Sequence, residues 1–348
     1  MRREGLKRLC LGAAFAVVAV LGSTSEMLAQ SKELIPVKLR LDWVWQSPQS
    51  IWTLAAERGY FREEGLEVTI DRGFGGMENA AALASGNYDF LFGGADTAIL
   101  FNAKSPDIKL KSVMMIYDAY LGTVITRKGN GITKPKDLEG KTIGAPLTTG
   151  GRTMFPAFAK ANGIDEKKIN WETISIQLQD PQFVQGKFDA VASFVTTSLL
   201  NLQQLGMKRD QLTILNFADY GVDLYGSGVL VRADFAEKKP EVVEKFLRAT
   251  VRGLKAMMAS KAEAIATLQK RDPMLDVKTE IDRLDLMIEM TLKRPSVEKF
   301  GVSYVDPARL QRSIDTLVSV FEISPAPKPE DVYTDKFLPP QADRMLKF

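Results

Sequence analysis

The chain has 348 residues, with 46 Lys and Arg residues against 43 Asp and Glu residues and a formal net charge of +3. This near balance argues against nucleic acid as the main partner, and the length allows two lobes. There is no histidine and a single cysteine, Cys10, so the commonest general base and the commonest metal ligand are missing. We therefore expect no catalytic residue, no metal site and no cofactor.

Residues 1–29 are predicted to be an export signal. Four basic residues within the first eight precede an apolar stretch at residues 9–22, and cleavage is expected after Ala29. Cleavage would remove four bases, two acids and Cys10, leaving 42 basic and 41 acidic residues and no cysteine. Such a composition suits an oxidising compartment. The Arg2-Arg3 pair leaves both the general and the twin-arginine export routes open.

Strand and helix patterns alternate in the first half of the chain. Residues 37–41 and 66–70 are predicted strands, and residues 50–59 and 78–85 have the apolar spacing of helices. This order predicts a parallel α/β structure.

A pattern within residues 83–97 recurs 100 residues later. The matched positions are Gly86 and Gly186, Asp89 and Asp189, and Thr97 and Thr197. Each copy predicts a helix that ends at the Gly, a turn at the Asp, a buried parallel strand and a next helix capped by the Thr. Two such units predict similar halves that face each other across a cleft, although a single Gly-x-x-Asp sequence is also a common turn.

The second half repeats the order, with strands at 141–144 and 170–174 and a helix at 153–162. Two β-rich runs, residues 121–127 and 226–232, are interpreted as paired crossover strands that form a hinge. The remainder is predicted to be helical, at residues 241–260, 262–270, 278–293 and 306–321.

Three sequence motifs carry a family resemblance. They are Leu41-Asp42-Trp43, the run Ala-Ala-Glu-Arg-Gly-Tyr-Phe at residues 55–61, and the run at residues 132–144 that begins Ile-Thr-Lys-Pro-Lys-Asp-Leu. The chain resembles the periplasmic solute-binding proteins of ABC importers for sulfonates, nitrate and thiamine pyrimidine precursors. That family also includes the fungal thiamine-pyrimidine synthase. The likeness covers nearly all of residues 36–340.

The resemblance implies an α/β, two-lobed periplasmic-binding-protein fold with two crossover hinge strands. The implied boundaries are residues 1–29 for the signal peptide, 30–124 and 228–348 for the first lobe, and 125–227 for the second lobe. Such a protein closes its lobes on a ligand, which stabilises the closed state.

The function implied is that of a periplasmic, monomeric, non-enzymatic binding protein that delivers its solute to a membrane permease. The expected solute is small and planar or anionic: a sulfonate, an aromatic acid or a pyrimidine-like compound. The alternative is a thiamine-pyrimidine-synthase-like enzyme, although the histidine and the cysteine-rich iron motif implied for the fungal enzyme are absent. A sensory partner of a membrane kinase is a third possibility.

Trp43 and Trp45 follow the first predicted strand, where ligands of open α/β sheets bind. An indole offers a stacking surface to a planar ligand, but alternation favours one Trp in the cleft and one in the core. Trp43 belongs to the family motif and is preferred as the ligand wall. Asp42 either accepts a hydrogen bond from a ligand amine or caps the following turn.

The run Thr148-Thr149-Gly150-Gly151-Arg152 predicts an anion site, because small hydroxylic residues and glycines before a helix present free N–H groups. Arg152 either adds a bidentate contact to an acidic ligand or is solvated on the first helical turn. The other predicted ligand residues either contact the ligand or serve as scaffold. Those on the same or equivalent loops are Gln46, Gly75, Gly76, Asp96, Thr97, Gln177, Ser193 and Thr196, and Tyr225 lies near the second hinge run, where it either lines the cleft or packs against the hinge.

Overall fold

A computed structural model describes residues 33–348, so the predicted signal and its cleavage site lie outside the described residues. The strands in this part of the chain are β1 (Ile35–Arg40), β2 (Leu66–Asp71), β3 (Phe90–Gly94), β4 (Leu110–Met115), β5 (Gly122–Arg127), β6 (Thr142–Ala145), β7 (Asn170–Thr173), β8 (Ala190–Phe194), β9 (Leu212–Asn216) and β10 (Ser227–Arg232).

The α-helices between residues 33 and 348 are α1 (Ser50–Glu57), α2 (Tyr60–Glu63), α3 (Gly76–Ala84), α4 (Ala95–Lys104), α5 (Gly150–Thr153), α6 (Phe155–Ala161), α7 (Ile176–Val184), α8 (Val195–Gln204), α9 (Ala233–Lys238), α10 (Pro240–Ala259), α11 (Lys261–Gln269), α12 (Val277–Met287), α13 (Pro295–Phe300), α14 (Pro307–Phe321), α15 (Pro329–Val332) and α16 (Gln341–Arg344). None of these described helices combines the length and the hydropathy needed to cross a bilayer.

The strands form two five-stranded sheets, ordered β2-β1-β3-β10-β4 and β7-β6-β8-β5-β9. In the first sheet β1 pairs in parallel with β2 and β3, and in the second β6 pairs in parallel with β7 and β8. One antiparallel strand enters each sheet, β10 in the first and β5 in the second. The predicted α/β class with two similar halves is confirmed.

The internal repeat predicted from the sequence is present as a structural repeat. The bounds of β3 and α4 differ from those of β8 and α8 by 100 residues each. Each unit is preceded by a glycine in the left-handed region, Gly86 at φ 80° and Gly186 at φ 79°. A side chain is strained in that conformation, which explains why both copies carry glycine there.

The aspartates of the repeat fix each unit to its own sheet. The Asp89 carboxylate accepts the Lys38 N–H at 2.9 Å, and the Asp189 carboxylate accepts the Thr142 N–H at 2.8 Å. In return, the N–H groups of the two aspartates donate to the carbonyls of the same partners, each at 2.9 Å. The two aspartates are therefore structural.

The predicted threonine caps are wrong. Helices α4 and α8 begin two residues before Thr97 and Thr197, and their N-cap residues are Gly94 and Phe194, neither of which makes a side-chain cap. In α4 the acidic Asp96 lies in the first turn instead. An acidic side chain in the first turn therefore replaces the cap.

The two crossover runs do not pair with each other as predicted. β5 pairs with β8 and β9, and β10 pairs with β3 and β4. The chain passes from one sheet to the other between β4 and β5 and returns between β9 and β10. β5 lies between β8 and β9 in the second sheet, and β10 lies between β3 and β4 in the first. Each pairs antiparallel with both of its neighbours.

The C-terminal helices contact both halves. α10 buries Phe246, whose ring stacks on Phe90 of the first sheet with centroids 3.8 Å apart. α14 buries Leu310, Ile314 and Leu317 in a core cluster that includes residues of the second sheet. Helix α14 was assigned to the first lobe, and these contacts attach it to the second sheet as well.

Candidate functional site

A cleft lies where the loops that follow the strands of the two sheets meet. It contains about 890 Å³ of space free of protein atoms, part of which opens to solvent. Eleven of the fifteen predicted ligand residues line it: Asp42, Trp43, Gln46, Gly75, Gly76, Asp96, Thr97, Thr148, Thr149, Ser193 and Thr196. The carboxyl ends of β1, β2 and β3 supply one wall, and those of β6 and β8 supply the other, as expected for ligand sites in α/β sheets.

Asp42 is the first of two carboxylates in the cleft. It follows β1 directly, and its Oδ1 accepts the side-chain N–H of Gln49 at 2.7 Å. Its carbonyl accepts the Asn79 side-chain N–H at 2.9 Å, which fixes the loop. Burial raises the pKa of Asp42 to about 7, although the hydrogen bond from Gln49 opposes the shift. Near neutral pH this group exchanges a proton readily.

Asp96 is the second carboxylate and lies in the first turn of α4. Its side chain is buried and lines the cleft. Burial raises the pKa of Asp96 to about 6, although hydrogen bonds from the N–H groups of Thr97 and of Asp96 itself lower it. At pH 7 this carboxylate is largely ionised.

Two aromatic side chains that line the cleft carry buried polar groups without a partner in the described part of the chain. Within residues 33–348, no partner is found for the buried Trp43 Nε1 or for the buried Tyr120 hydroxyl. Burial also raises the pKa of Tyr120 well above its usual value, so its hydroxyl keeps its proton. A buried donor without a partner is costly, which makes both groups natural contacts for a ligand acceptor.

The second wall is formed mainly by small hydroxylic residues at the starts of α5 and α8. Gly151 packs so closely that a Cβ there would lie 2.2 Å from the backbone nitrogen of Ser193. Glycine at this position therefore holds the loop against β8. The hydroxylic side chains that line this wall are those of Thr148, Thr149, Thr153, Ser193, Thr196 and Thr197.

The two walls touch on both sides of the cleft. The Thr148 hydroxyl donates to the Phe74 carbonyl at 3.3 Å, and the Thr197 hydroxyl donates to Gln46 Oε1 at 3.1 Å. Gly75, at φ 111°, lies at the first contact, where a Cβ would come within 2.7 Å of the Thr148 carbonyl oxygen. This arrangement is a closed cleft.

A buried ion pair on α12 supports the closed arrangement. Arg283 donates to the carbonyls of Thr196 and Thr197, and its partner Glu280 accepts the Ser47 N–H at 2.6 Å. Both charged side chains are at most 3% exposed. The pair therefore connects the loop after β1 to the first turn of α8.

The structure does not place Arg152 at the cleft. Its guanidinium stacks on the Trp171 ring, 3.5 Å from the centroid, and burial lowers its pKa. Arg152 lies two residues beyond Gly150, on the opposite side of the helical turn. Because the lining residues of the described chain include no Lys or Arg, the predicted anion site lacks its cation.

Three other predicted ligand residues also lie elsewhere. Trp45 packs against the first core, with Arg271 over its ring at 5.8 Å. Gln177 is exposed on α7. The Tyr225 hydroxyl accepts the Asp306 N–H at 2.9 Å and therefore ties the crossover to α14. Trp43 lines the cleft and Trp45 packs partly buried against the core, so one of the two tryptophans faces the ligand site. The segment is a bend and not a strand, so strand alternation does not explain this placement.

Two residues of the first wall were missed by sequence reasoning. Gln49 holds Asp42, and Asn79 holds both the Asp42 carbonyl and the Phe74 N–H. Asn79 is 1% exposed, and a polar residue on the buried face of the predicted helix 78–85 was the available signal.

Comparisons with known proteins identify the family. The family model described as "NMT1/THI5 like" matches residues 49–264. The chain belongs to the NMT1/THI5-like family. A formylaminopyrimidine-binding protein of Halalkalibacterium halodurans is 26% identical over 256 residues, covering 73% of this chain and 76% of the relative. The riboflavin-binding protein RibY of Chloroflexus aurantiacus is 22% identical over 315 residues, covering 87% and 86%.

Other relatives of this family member are enzymes. The 4-amino-5-hydroxymethyl-2-methylpyrimidine phosphate synthase of Legionella pneumophila is 24% identical over 249 residues, covering 71% of this chain and 77% of the relative. Among solved structures, the periplasmic aliphatic sulphonate binding protein SsuA from Escherichia coli matches with a TM-score of 0.66 and 17% identity, covering 86% and 96%. At that identity the match shows the shared fold.

Proposed function

We propose that this protein is the extracytoplasmic solute-binding component of an ABC importer and that it acts as a monomer without catalysis. The family, the binding proteins among its relatives and the closed cleft between two similar halves support this function. The ligand contacts both walls and stabilises the closed state, which a membrane permease then recognises.

The ligand is a planar heteroaromatic compound with N–H donors, and an oxyanion is disfavoured. The observation that carries this choice is the charge of the cleft: Asp42 and Asp96 line it, and no Lys or Arg does so within residues 33–348. A sulfonate or nitrate entering this cleft would lose its hydration without meeting a counter-charge.

The polar groups of the cleft match a ligand with separate donor and acceptor edges. Asp42 and Asp96 accept hydrogen bonds from ligand N–H groups, and Trp43 Nε1 and the Tyr120 hydroxyl donate to ligand acceptors. The hydroxyls of the second wall do either. An aminopyrimidine or a flavin ring presents both kinds of edge.

Calorimetry on the purified protein tests this function. Formylaminopyrimidine and riboflavin are titrated as planar probes, and the sulfonate MOPS as an anionic probe. We expect one planar probe to bind and to be recovered chemically unchanged, and MOPS to bind at least about 100-fold more weakly because its charge is uncompensated. Tighter binding of MOPS would contradict the proposal.

A pair of tryptophan variants adds a matched control. Trp43→Ala should weaken the planar probe by roughly 1–3 kcal/mol through lost stacking and burial. Trp45→Ala, which alters a tryptophan on the core outside the cleft, should leave the affinity unchanged.

A pyrimidine-synthase activity is the second candidate, because relatives of similar identity carry that name. Against it, the chain has no histidine and no cysteine besides Cys10. Incubation of the protein with the solute that co-purifies with it, followed by mass spectrometry of that solute, tests this candidate. The appearance of a pyrimidine phosphate would overturn the non-enzymatic proposal.

A further inference from the structure

Asp96 and Thr196 occupy the same place in the two repeated units. Each is the second residue of the helix that follows the central strand of its unit, α4 in one and α8 in the other. Both are buried and both line the cleft. The repeat therefore provides an internal comparison in which the backbone is the same and one side chain differs in charge.

The start of a helix ordinarily attracts anions, because its first N–H groups are unpaired and the helix dipole is positive there. At the start of α4 the buried Asp96 carboxylate already occupies this position. At the start of α8 a neutral hydroxyl stands in the same position, and the buried Arg283 guanidinium donates to the carbonyls of Thr196 and Thr197 there.

Charges elsewhere in the cleft do not compensate Asp96. The titratable side chains that line the cleft within residues 33–348 are Asp42, Asp96, Tyr117 and Tyr120. Both tyrosines keep their protons, because burial raises their pKa values well above the usual range. Arg152 is held on Trp171, outside the cleft.

We propose that Asp96 is the residue that determines the charge selectivity of the cleft: it repels anionic solutes and pairs with an N–H edge of the ligand. This inference rests on the proposed function as a solute-binding protein and names the side chain that sets its ligand class. Replacing Asp96 with threonine, the residue at the equivalent position 196, should therefore weaken the binding of a ligand amine at the start of α4 and allow an anion to bind there.

The test measures the affinities of wild-type protein and three variants for two probes, formylaminopyrimidine and MOPS. Asp96→Thr installs the side chain of the second repeat, and Asp96→Asn removes the charge with almost no change in shape. Asp107→Asn is the matched control, because it removes the same charge from an exposed turn and Asp107 does not line the cleft. Thermal unfolding of each variant establishes that it is folded.

We expect both Asp96 variants to bind formylaminopyrimidine about 10–100-fold more weakly, as when a charge-assisted hydrogen bond is lost. We also expect Asp96→Thr to bind MOPS at least about tenfold more tightly than wild type does, because a repulsive charge is removed at a helix start. A loss of folding would weaken both probes together, so opposite changes identify selectivity.

The outcomes separate this inference from the proposed function. If the wild type binds formylaminopyrimidine and both Asp96 variants keep the same preference for it over MOPS, the role of Asp96 is overturned. The proposed function then stays intact. Failure of the wild type to bind either formylaminopyrimidine or riboflavin, with tighter MOPS binding in Asp96→Thr, overturns the proposed ligand class and supports the role of Asp96. Binding of neither probe by any variant counts against both.

Discussion

Residues 86–104 and 186–204 contain two copies of one loop-strand-helix unit that face each other across the cleft. Their strands, helices and glycine φ angles correspond residue by residue. Their chemistry differs: the first copy places a carboxylate, Asp96, at the cleft, and the second places a hydroxyl, Thr196. The two halves therefore share one fold, but the first supplies a carboxylate to the ligand site and the second supplies a hydroxyl.

The two copies also differ in what supports them from outside. The buried Arg283 donates to carbonyls in the first turn of α8. The first turn of α4 instead contains a charged side chain of its own, Asp96. Helix α12 therefore holds the start of α8 through Arg283 and contacts the first wall only through Glu280, at the Ser47 N–H of the loop after β1. The predictions below test this difference.

The largest effect is expected from Arg283→Met. This change leaves Glu280 buried without its partner, and breaking a buried pair in this way typically costs about 3–5 kcal/mol of unfolding free energy. Urea denaturation of the ligand-free protein measures it. Arg312→Met, at an exposed arginine, should cost at most about 0.5 kcal/mol. Equal losses in the two variants would contradict a special role for α12.

The next effect concerns Asp42 of the first wall. Its pKa is raised from 3.8 to about 7 in the folded protein. Between those values the folded state keeps a proton that the unfolded state releases, so this group lowers stability as pH rises from about 4 to 7. Asp42→Asn removes that titration.

Asp42→Asn should therefore be more stable than wild type by on the order of 2–4 kcal/mol at pH 8, and the difference should vanish near pH 4. Asp96 is present in both proteins, so its own titration cancels in the difference. Denaturation at several pH values measures this. A difference that does not depend on pH would show that Asp42 titrates normally.

Gly75 tests the contact between the walls. Gly75→Ala places a methyl group within 2.7 Å of the Thr148 carbonyl oxygen, which opposes closure. We expect the ligand to bind about tenfold more weakly, because part of its binding free energy then offsets that collision. Gly129→Ala is the control, since Gly129 also has a positive φ, 88°, but a Cβ there meets nothing within 4 Å.

Both variants place a side chain at positive φ, so both should lower the ligand-free melting temperature, and Gly75→Ala should lower it more because Gly75, at φ 111° and ψ 168°, lies in a region that essentially only glycine populates. Only Gly75→Ala should also lose affinity. If Gly129→Ala loses as much affinity, the contact between Gly75 and Thr148 has no part in closure.

The smallest effect is expected at Arg152. Because its guanidinium stacks on Trp171 outside the cleft, Arg152→Ala should leave ligand affinity unchanged within about twofold. It should lower the free energy of unfolding by about 1 kcal/mol through the lost cation–π contact. Calorimetry and denaturation of the same sample separate the two. A large loss of affinity would restore the anion site predicted from the sequence.

The sequence predicted the fold well because the evidence for it is local. Apolar spacing placed β1, β2 and α10 within about two residues of their bounds, and the repeat placed the two halves. The strands β4 and β9 were missed, because each is an edge strand whose pairing partners are distant in the chain. Helix α7 was not predicted from the sequence, since an internal proline, Pro181, interrupts its pattern.

The site was only partly predictable, and Arg152 shows why. Its neighbours in sequence fit an anion site, but a single helical turn can direct a side chain to either side. Its position depends on Trp171, which reaches it only through the pairing of β6 with β7. The charge of the cleft likewise depends on which charged side chains the tertiary fold places outside it. A local sequence pattern does not contain this information.

Native mass spectrometry of the protein purified from its own source tests the central claim most directly. The central claim is that the cleft binds a planar solute with N–H donors and that neither wall supplies a cation. We predict a single co-purifying heteroaromatic compound that is neutral or basic and is released intact on denaturation. A co-purifying sulfonate, nitrate or other strong anion held in this cleft would contradict the account.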